Sequence, residues 1–248
     1  MTEPDTTAAQ NYPVPLTEIA YILDQSGSMS SMRSAAIDAF NEFIKAQLDV
    51  PGDANLTLVL FDDRYEVPVS QTPVERVAAL TPKTYTPRGN TALLDAIGRT
   101  INDFHARIDR LPADQKPAKV IMAIFTDGEE NSSYHFTGRQ ISDLIRRFID
   151  KHSWEFIFLA ANQDAIASAA AMNMDRHNSG NVPFTDEGLT RSSKALHRKI
   201  RAMRMRSMGL SDAESLHSEA ASMASLIQEE DAQPSPPPQQ RNSPDHSK

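Results

Sequence analysis

Strand-like and helix-like segments alternate along this chain, which predicts an α/β fold: a doubly wound, mostly parallel central sheet with helices on both faces. Three observations carry that expectation. Four compact apolar runs, Ile19 to Leu23, Leu56 to Phe61, Val120 to Phe125 and Phe156 to Ala160, have the nearly continuous apolar character of strands covered on both sides. The segments between them repeat apolar residues at helical spacing instead. Finally, Leu56 to Phe61 is followed, after Asp62-Asp63-Arg64, by Tyr65 to Val69, close enough to fold back as a hairpin and make one edge antiparallel.

Taken in order, residues 1–15 are polar and carry Glu3 and Asp5 where a secretory signal needs basic residues and then an apolar stretch, so they read as a flexible N-terminal segment without an export signal. The domain itself is expected over 16–208. After the first strand, Arg33 to Leu48 is a helix with Ile37, Phe40, Ile44 and Leu48 on one stripe. Leu94, Ile97, Ile101, Phe104 and Ile108 mark a second helix, and Ile141, Leu144, Ile145 and Phe148 a third. An Ala-rich stretch, Asp164 to Met172, follows Asn162 as its N-cap, and Leu189, Ser193, Leu196, Ile200 and Met203 trace a helix after Thr185. Residues 209–232 read as a C-terminal helical appendage: Ser211 and Glu214 form a capping box, and Leu216, Ala220, Met223 and Ile227 an apolar stripe. The Pro/Ser/Gln-rich tail 233–248 has too little apolar surface to order itself.

Composition narrows the function. Cysteine is absent, so disulfides and thiolate metal sites are excluded, and any metal must be held by oxygen or imidazole. The longest apolar runs are far shorter than the ~20 residues of a membrane helix, and a cytoplasmic protein is expected. A formal net charge of −8 argues against general affinity for nucleic acid.

Three distant segments supply five oxygen-bearing side chains: Asp24, Ser26 and Ser28 in Asp24-Gln25-Ser26-Gly27-Ser28, then Thr91, then Asp127. In an open α/β sheet ligands collect beyond the carboxyl ends of the strands. Asp24 ends the first strand, Asp127 follows the Val120 to Phe125 strand, and Thr91 opens the helix containing Leu94, so all three segments converge on one rim. Alternation in Asp24-x-Ser26-x-Ser28 lets every second side chain face one point. Two carboxylates and three hydroxyls suit Mg²⁺, which takes oxygen ligands at about 2.0–2.1 Å in octahedral geometry, while Mn²⁺ and Ca²⁺ accept the same donors. The competing reading is that Ser26 and Ser28 cap a helix and Asp127 makes an Asp-Gly turn.

Asp24-Gln25-Ser26-Gly27-Ser28, Thr91 in Gly89-Asn90-Thr91-Ala92-Leu93 and Asp127 in Phe125-Thr126-Asp127-Gly128 resemble the metal-ion-dependent adhesion site of von Willebrand factor type A (VWA) domains, over roughly Thr17 to Arg206. The resemblance implies a Rossmann-like VWA fold of the intracellular bacterial or phage type, with Ser26, Ser28 and Thr91 as hydroxyl ligands and Asp24 and Asp127 binding directly or through water. It also implies a scaffold rather than an enzyme, gripping a partner's carboxylate, with a co-encoded ATPase as one such partner. Two alternatives stay open, a Mg²⁺-dependent phosphoester hydrolase and an accessory subunit of an ATPase complex. The first lacks a histidine tied to the motif segments and a P-loop.

Other residues have blander readings. Asp62-Asp63 are expected as solvated turn formers and Glu129 and Glu130 as an exposed acidic loop. His135 is expected at the surface, Trp154 in packing, and Met203, Met205 and Met208 in helix contacts. The basic stretch Arg191, Lys194, Arg198, Lys199, Arg201, Arg204 and Arg206 is expected to be a solvated helix face, with phosphate contact as the alternative.

Overall fold

A computed structural model describes residues 15–127, 130–161 and 165–232. All but Pro15 of the expected N-terminal segment lie outside these residues, as do Gly128, Glu129, Asn162, Asp164 and the tail 233–248. The strands are β1 (Thr17–Asp24), β2 (Ala54–Phe61), β3 (Tyr65–Pro73), β4 (Lys119–Thr126), β5 (Glu155–Ala160) and β6 (Ser179–Asn181). The helices are α1 (Arg33–Leu48), α2 (Leu93–Asp109), α3 (Gly138–His152), α4 (Ala165–Ala171), α5 (Asp186–Ser207), α6 (Ala213–Ala220) and α7 (Met223–Ala232).

The sheet runs β3-β2-β1-β4-β5-β6, parallel at every pairing except the β2–β3 hairpin at one edge. Alternation along each strand sorts the core into two layers. Ile19, Tyr21, Leu23, Leu58, Ile121 and Leu159 face one way, onto α1, α5 and α7. Ala20, Ile22, Val59, Met122, Ile124 and Phe158 face the other, onto α2 and α3. Trp154 joins the second layer, its ring 4.4 Å from that of Phe148, as packing rather than a ligand platform.

Chain direction fixes where a ligand can sit. From β1 the chain moves outward through β2 and β3, then returns to the other side of β1 as β4 and continues through β5 and β6. The switch point therefore lies between β1 and β4, at their carboxyl ends, where a crevice opens between diverging loops.

The C-terminal segment differs from its expected form. Two helices replace one stripe: Leu216 on α6 is 56% exposed, whereas Met223, Leu226 and Ile227 on α7 are buried in the first core layer. A side chain at Gly180 of β6 would collide with Ile227 at 2.9 Å, so the glycine lets α7 lie close against the sheet edge. The cap also differs. Asp212, not Ser211, is the N-cap of α6, accepting the Ser215 N–H at 2.7 Å while Arg201 Nη1 donates to it at 3.2 Å, a tertiary charge pair that holds the cap one residue later than expected. Among the described residues no helix is long and apolar enough to cross a membrane.

Candidate metal centre

Asp24 ends β1 beside Thr126, the last residue of β4, and the two are joined by a hydrogen bond from Thr126 Oγ1 to Asp24 Oδ2 at 2.6 Å. The other carboxylate oxygen, Oδ1, accepts the Ser26 N–H at 2.6 Å. Beyond it the chain makes a 3-10 turn, Gly27–Met32, that leads into α1. Ser26 Oγ and Ser28 Oγ stand 3.0 Å apart, and Ser28 Oγ donates to Asp127 Oδ1 at 2.9 Å. Asp24, Ser26, Ser28 and Asp127 thus form one connected group of oxygens at the β1/β4 switch point. Asp24 and Ser26 are buried in its floor, Ser28 is exposed at its lip, and Asp127 lies between.

Thr91 is brought alongside by its backbone. The Gly27 N–H donates to Gly89 O at 3.1 Å and the Arg88 N–H to Gln25 O at 2.8 Å, laying the 88–91 segment along the serine loop. Thr91 itself is buried; its N–H donates to Asn131 Oδ1 at 2.9 Å, and its carbonyl accepts the Asn131 N–H at 3.1 Å. Gly89 has φ +66°, and a Cβ there would meet Asp63 Oδ1 at 2.3 Å, so only glycine fits this turn.

Burial dominates the electrostatics. It pushes the Asp24 carboxyl up to about 6, against hydrogen bonds from Thr126 and Ser26 that pull it down, and the neighbouring Asp127 charge adds to the rise. Asp127 is raised by burial as well, partly offset by the Ser28 hydroxyl. Tyr85 donates its hydroxyl to Asp24 O at 2.6 Å, and its ionisation is suppressed by burial and by the two aspartates. A cation placed among these oxygens would reverse that bias and favour both carboxylates in their charged form. Among the described residues no group of three or more His, Asp or Glu side chains gathers to hold a metal, so the hydroxyls are indispensable to this donor set.

Several residues around the centre were misread or missed. Glu130 is no exposed acid: its carboxylate accepts the N–H groups of Leu94, Ser132 and Ser133 at 2.9, 3.0 and 2.7 Å, capping the start of α2 from a distant loop. Asp95 answers from the helix, accepting the N–H groups of Tyr134, His135 and Phe136, each at 2.9 Å. His135 is exposed, as expected, and Tyr134 stands 90% exposed on this clamped backbone. A groove of about 520 Å³ runs from Ala92 past Tyr65 and Arg99 to Tyr134 and Phe136. Asp62 was expected in solvent but is fully buried, accepting from Arg88 Nε at 2.9 Å and from the Arg64 N–H at 2.6 Å.

Most of the basic run on α5 is not a solvated face, although Lys194 and Arg206 are exposed. Arg191 pairs with Asp231, Arg198 with Glu229 and Glu230, Arg201 with Asp212, and Arg206 with Glu155 and Glu219. Lys199 is buried, donating to the carbonyls of Ser218, Glu219 and Ala221. Arg204 is buried among the carbonyls that follow α1. These charges are spent on holding α6, α7 and α1, which leaves little for phosphate.

Comparison with known proteins agrees with this topology. The family profile described as von Willebrand factor type A domain matches residues 19–129. No curated protein matches the chain. Among solved structures, a von Willebrand factor type A protein from Catenulispora acidiphila is similar at 17% identity and TM-score 0.51, over 79% of this chain and 43% of that one. Proximal thread matrix protein 1 from the mussel byssus, in a structure with a zinc-occupied MIDAS motif, is similar at 16% identity and TM-score 0.52, over 76% of this chain and 46% of that one. The chain therefore spans less than half the length of either, and at these identities the likeness is one of fold. Profile match and strand topology agree: residues 19–129 match the von Willebrand factor type A domain, and the sheet around them has a Rossmann-like fold of that type.

Proposed function

We propose that this chain is a divalent-cation-dependent protein-binding module in which Asp24, Ser26, Ser28, Thr91 and Asp127 hold Mg²⁺ and a partner protein supplies a carboxylate to the same ion. The observation that carries the reading is the spacing of the side-chain oxygens. Ser26 Oγ to Ser28 Oγ is 3.0 Å and Ser28 Oγ to Asp127 Oδ1 is 2.9 Å. Adjacent corners of an octahedron with ligands at about 2.0–2.1 Å lie about 2.8–3.0 Å apart. The spacing is therefore one that Mg²⁺ or Mn²⁺ can accept. Zinc at the MIDAS motif of the similar mussel protein supports a cation at this place in the fold.

Each residue has a distinct task. Asp24, anchored from two sides, sets the depth of the floor and orients Ser26 through its backbone. Ser28 and Asp127 form the lip and turn their oxygens to the crevice. A bound cation supplies an electrophilic position that an acidic side chain can fill. With three neutral hydroxyls and only two carboxylates, the donor set does no more than balance a divalent ion, which stays electrophilic at its remaining coordination position and can take an anionic partner group there. An ATPase encoded beside this protein is the partner class that the family resemblance suggests.

The test is capture of interacting proteins on immobilised chain in Mg²⁺, followed by elution with EDTA. Partners should be released by the chelator and should not bind the Asp127→Ala protein. Capture that ignores both EDTA and the substitution would refute the reading. Hydrolysis of a generic phosphoester by the purified chain, lost in Asp127→Asn, would replace it with the hydrolase alternative.

A further inference from the structure

We infer that Asp62 and Arg88 are positioning residues for Thr91, setting cation affinity without touching the cation; this rests on the metal-site reading above. Asp62 directly follows β2 and is not one of the five donors, yet it is joined to both sides of Thr91. Its carboxylate accepts from Arg88 Nε at 2.9 Å, three residues before Thr91, and its carbonyl accepts the Ala92 N–H at 3.0 Å, one residue after it. Arg88 in turn donates its own N–H to Gln25 O at 2.8 Å, inside the serine loop, and its guanidinium reaches on to Glu66 of β3. The pair thus ties the Thr91 segment to the hairpin bend on one side and to the serine loop on the other.

The chemistry of the two groups points the same way. A bend such as Asp62-Asp63-Arg64 needs no buried carboxylate, and a fully buried one is costly unless paired and hydrogen-bonded. Asp62 is fully buried while the Arg88 side chain is 40% exposed, so the pair by itself adds little stability, and its distinctive effect here is to fix the path of the 88–92 segment. Thr91 is where geometry matters most. Its hydroxyl is neutral and brings no charge attraction of its own, so its worth as a ligand depends on where the backbone holds it. Asp24 and Asp127 would still draw a cation from a less well-placed position.

The experiment is a calorimetric Mn²⁺ titration of the full chain, run beside thermal unfolding in EDTA. Arg88→Met should weaken Mn²⁺ binding about 10–100-fold, the range for residues that orient metal ligands. It should also lower the melting temperature, because Asp62 is left buried without its cation. In the double variant Asp62→Asn/Arg88→Met the stranded charge is gone, so melting should recover while Mn²⁺ affinity stays low. Arg88→Lys, which keeps the charge but not the two-sided fork, should fall between wild type and Arg88→Met in affinity. Affinity that recovers together with stability in the double variant, or Arg88→Met binding like wild type, would overturn the positioning role. A wild-type chain that takes up no Mn²⁺ would defeat the metal-site reading itself.

Discussion

Replacing Asp24 with asparagine is expected to abolish cation binding while leaving the metal-free fold at least as stable as the parent above pH 6. Asparagine keeps the shape, and its amide can accept the Ser26 N–H and donate to the Thr126 hydroxyl, the two groups that hold Asp24 at 2.6 Å each. What disappears is a buried charge. Burial raises the folded carboxyl from 3.8 to about 6, so between those values the folded chain keeps a proton that the unfolded chain has released. The stabilising contribution of Asp24 is therefore complete below about pH 4 and is lost as pH rises through 6. Melting temperatures in EDTA from pH 4 to 8 should show wild type losing ground to Asp24→Asn across that window. In Mn²⁺ the sign inverts at neutral pH: wild type should gain stability from the ion and the variant should not, with affinity lower by more than ~100-fold, beyond what merely supporting residues cost. In wild type, proton and cation compete for the same oxygens, so affinity should climb between about pH 5 and 7. Equal Mn²⁺ affinity in the two proteins would remove Asp24 from the site.

Asp24 was legible because its signal is local: an acid at the end of an apolar run, with hydroxyls at alternate positions after it. The same holds for the four core strands. Ile19 to Leu23 and Val120 to Phe125 each sit within a strand one or two residues longer at its ends, since edge residues such as Thr17 and Lys119 pair without being apolar. Where the outcome depends on a distant partner, sequence falls silent. Ser179-Gly180-Asn181 has no apolar pattern and is a strand only because the edge of β5 offers it free backbone groups, pairing Phe158 with Ser179. Asp62 is buried through Arg88, twenty-six residues on. Glu130 is fixed by backbone donors of a helix that begins at Leu93. Tyr85 and Asn131, which brace the Asp24 carbonyl and the Thr91 backbone, carry no motif at all. The convergence of Asp24, Ser26, Ser28 and Asp127 on one rim was thus visible and the supports around them were not, since a motif follows residue type while support follows tertiary contact.

The basic run on α5 shows the same limit and yields the largest expected change in stability. Arg204 is 1% exposed and donates through Nη1 to Gln47 O at 3.1 Å and Gln47 Oε1 at 2.8 Å. Through Nη2 it donates to the carbonyls of Val50, Pro51 and Gly52 at 3.3, 3.3 and 2.8 Å. One guanidinium therefore serves the carbonyls left over at the end of α1 and along the turn into β2. Burial pulls its pKa down to about 10, which leaves it charged at neutral pH. Arg204→Met fills comparable volume with no donor, stranding those carbonyls in a dry interior. A loss of about 3–5 kcal/mol is expected, because several buried carbonyls each lose a charged donor at about 1–3 kcal/mol apiece. For a domain of this size that is a fall of roughly 6–20 °C in melting temperature. Urea unfolding measures it directly, and a loss within ~0.5 kcal/mol would mean that water reaches those carbonyls in solution. Because α1 runs from the serine loop to this turn, the variant also asks whether scaffold and site are coupled along the helix. Arg204 stands at the end of α1 away from the oxygens, so Mn²⁺ affinity measured well below the melting transition should stay within about threefold of wild type; a larger drop would show that anchoring one end of α1 sets the geometry of the other.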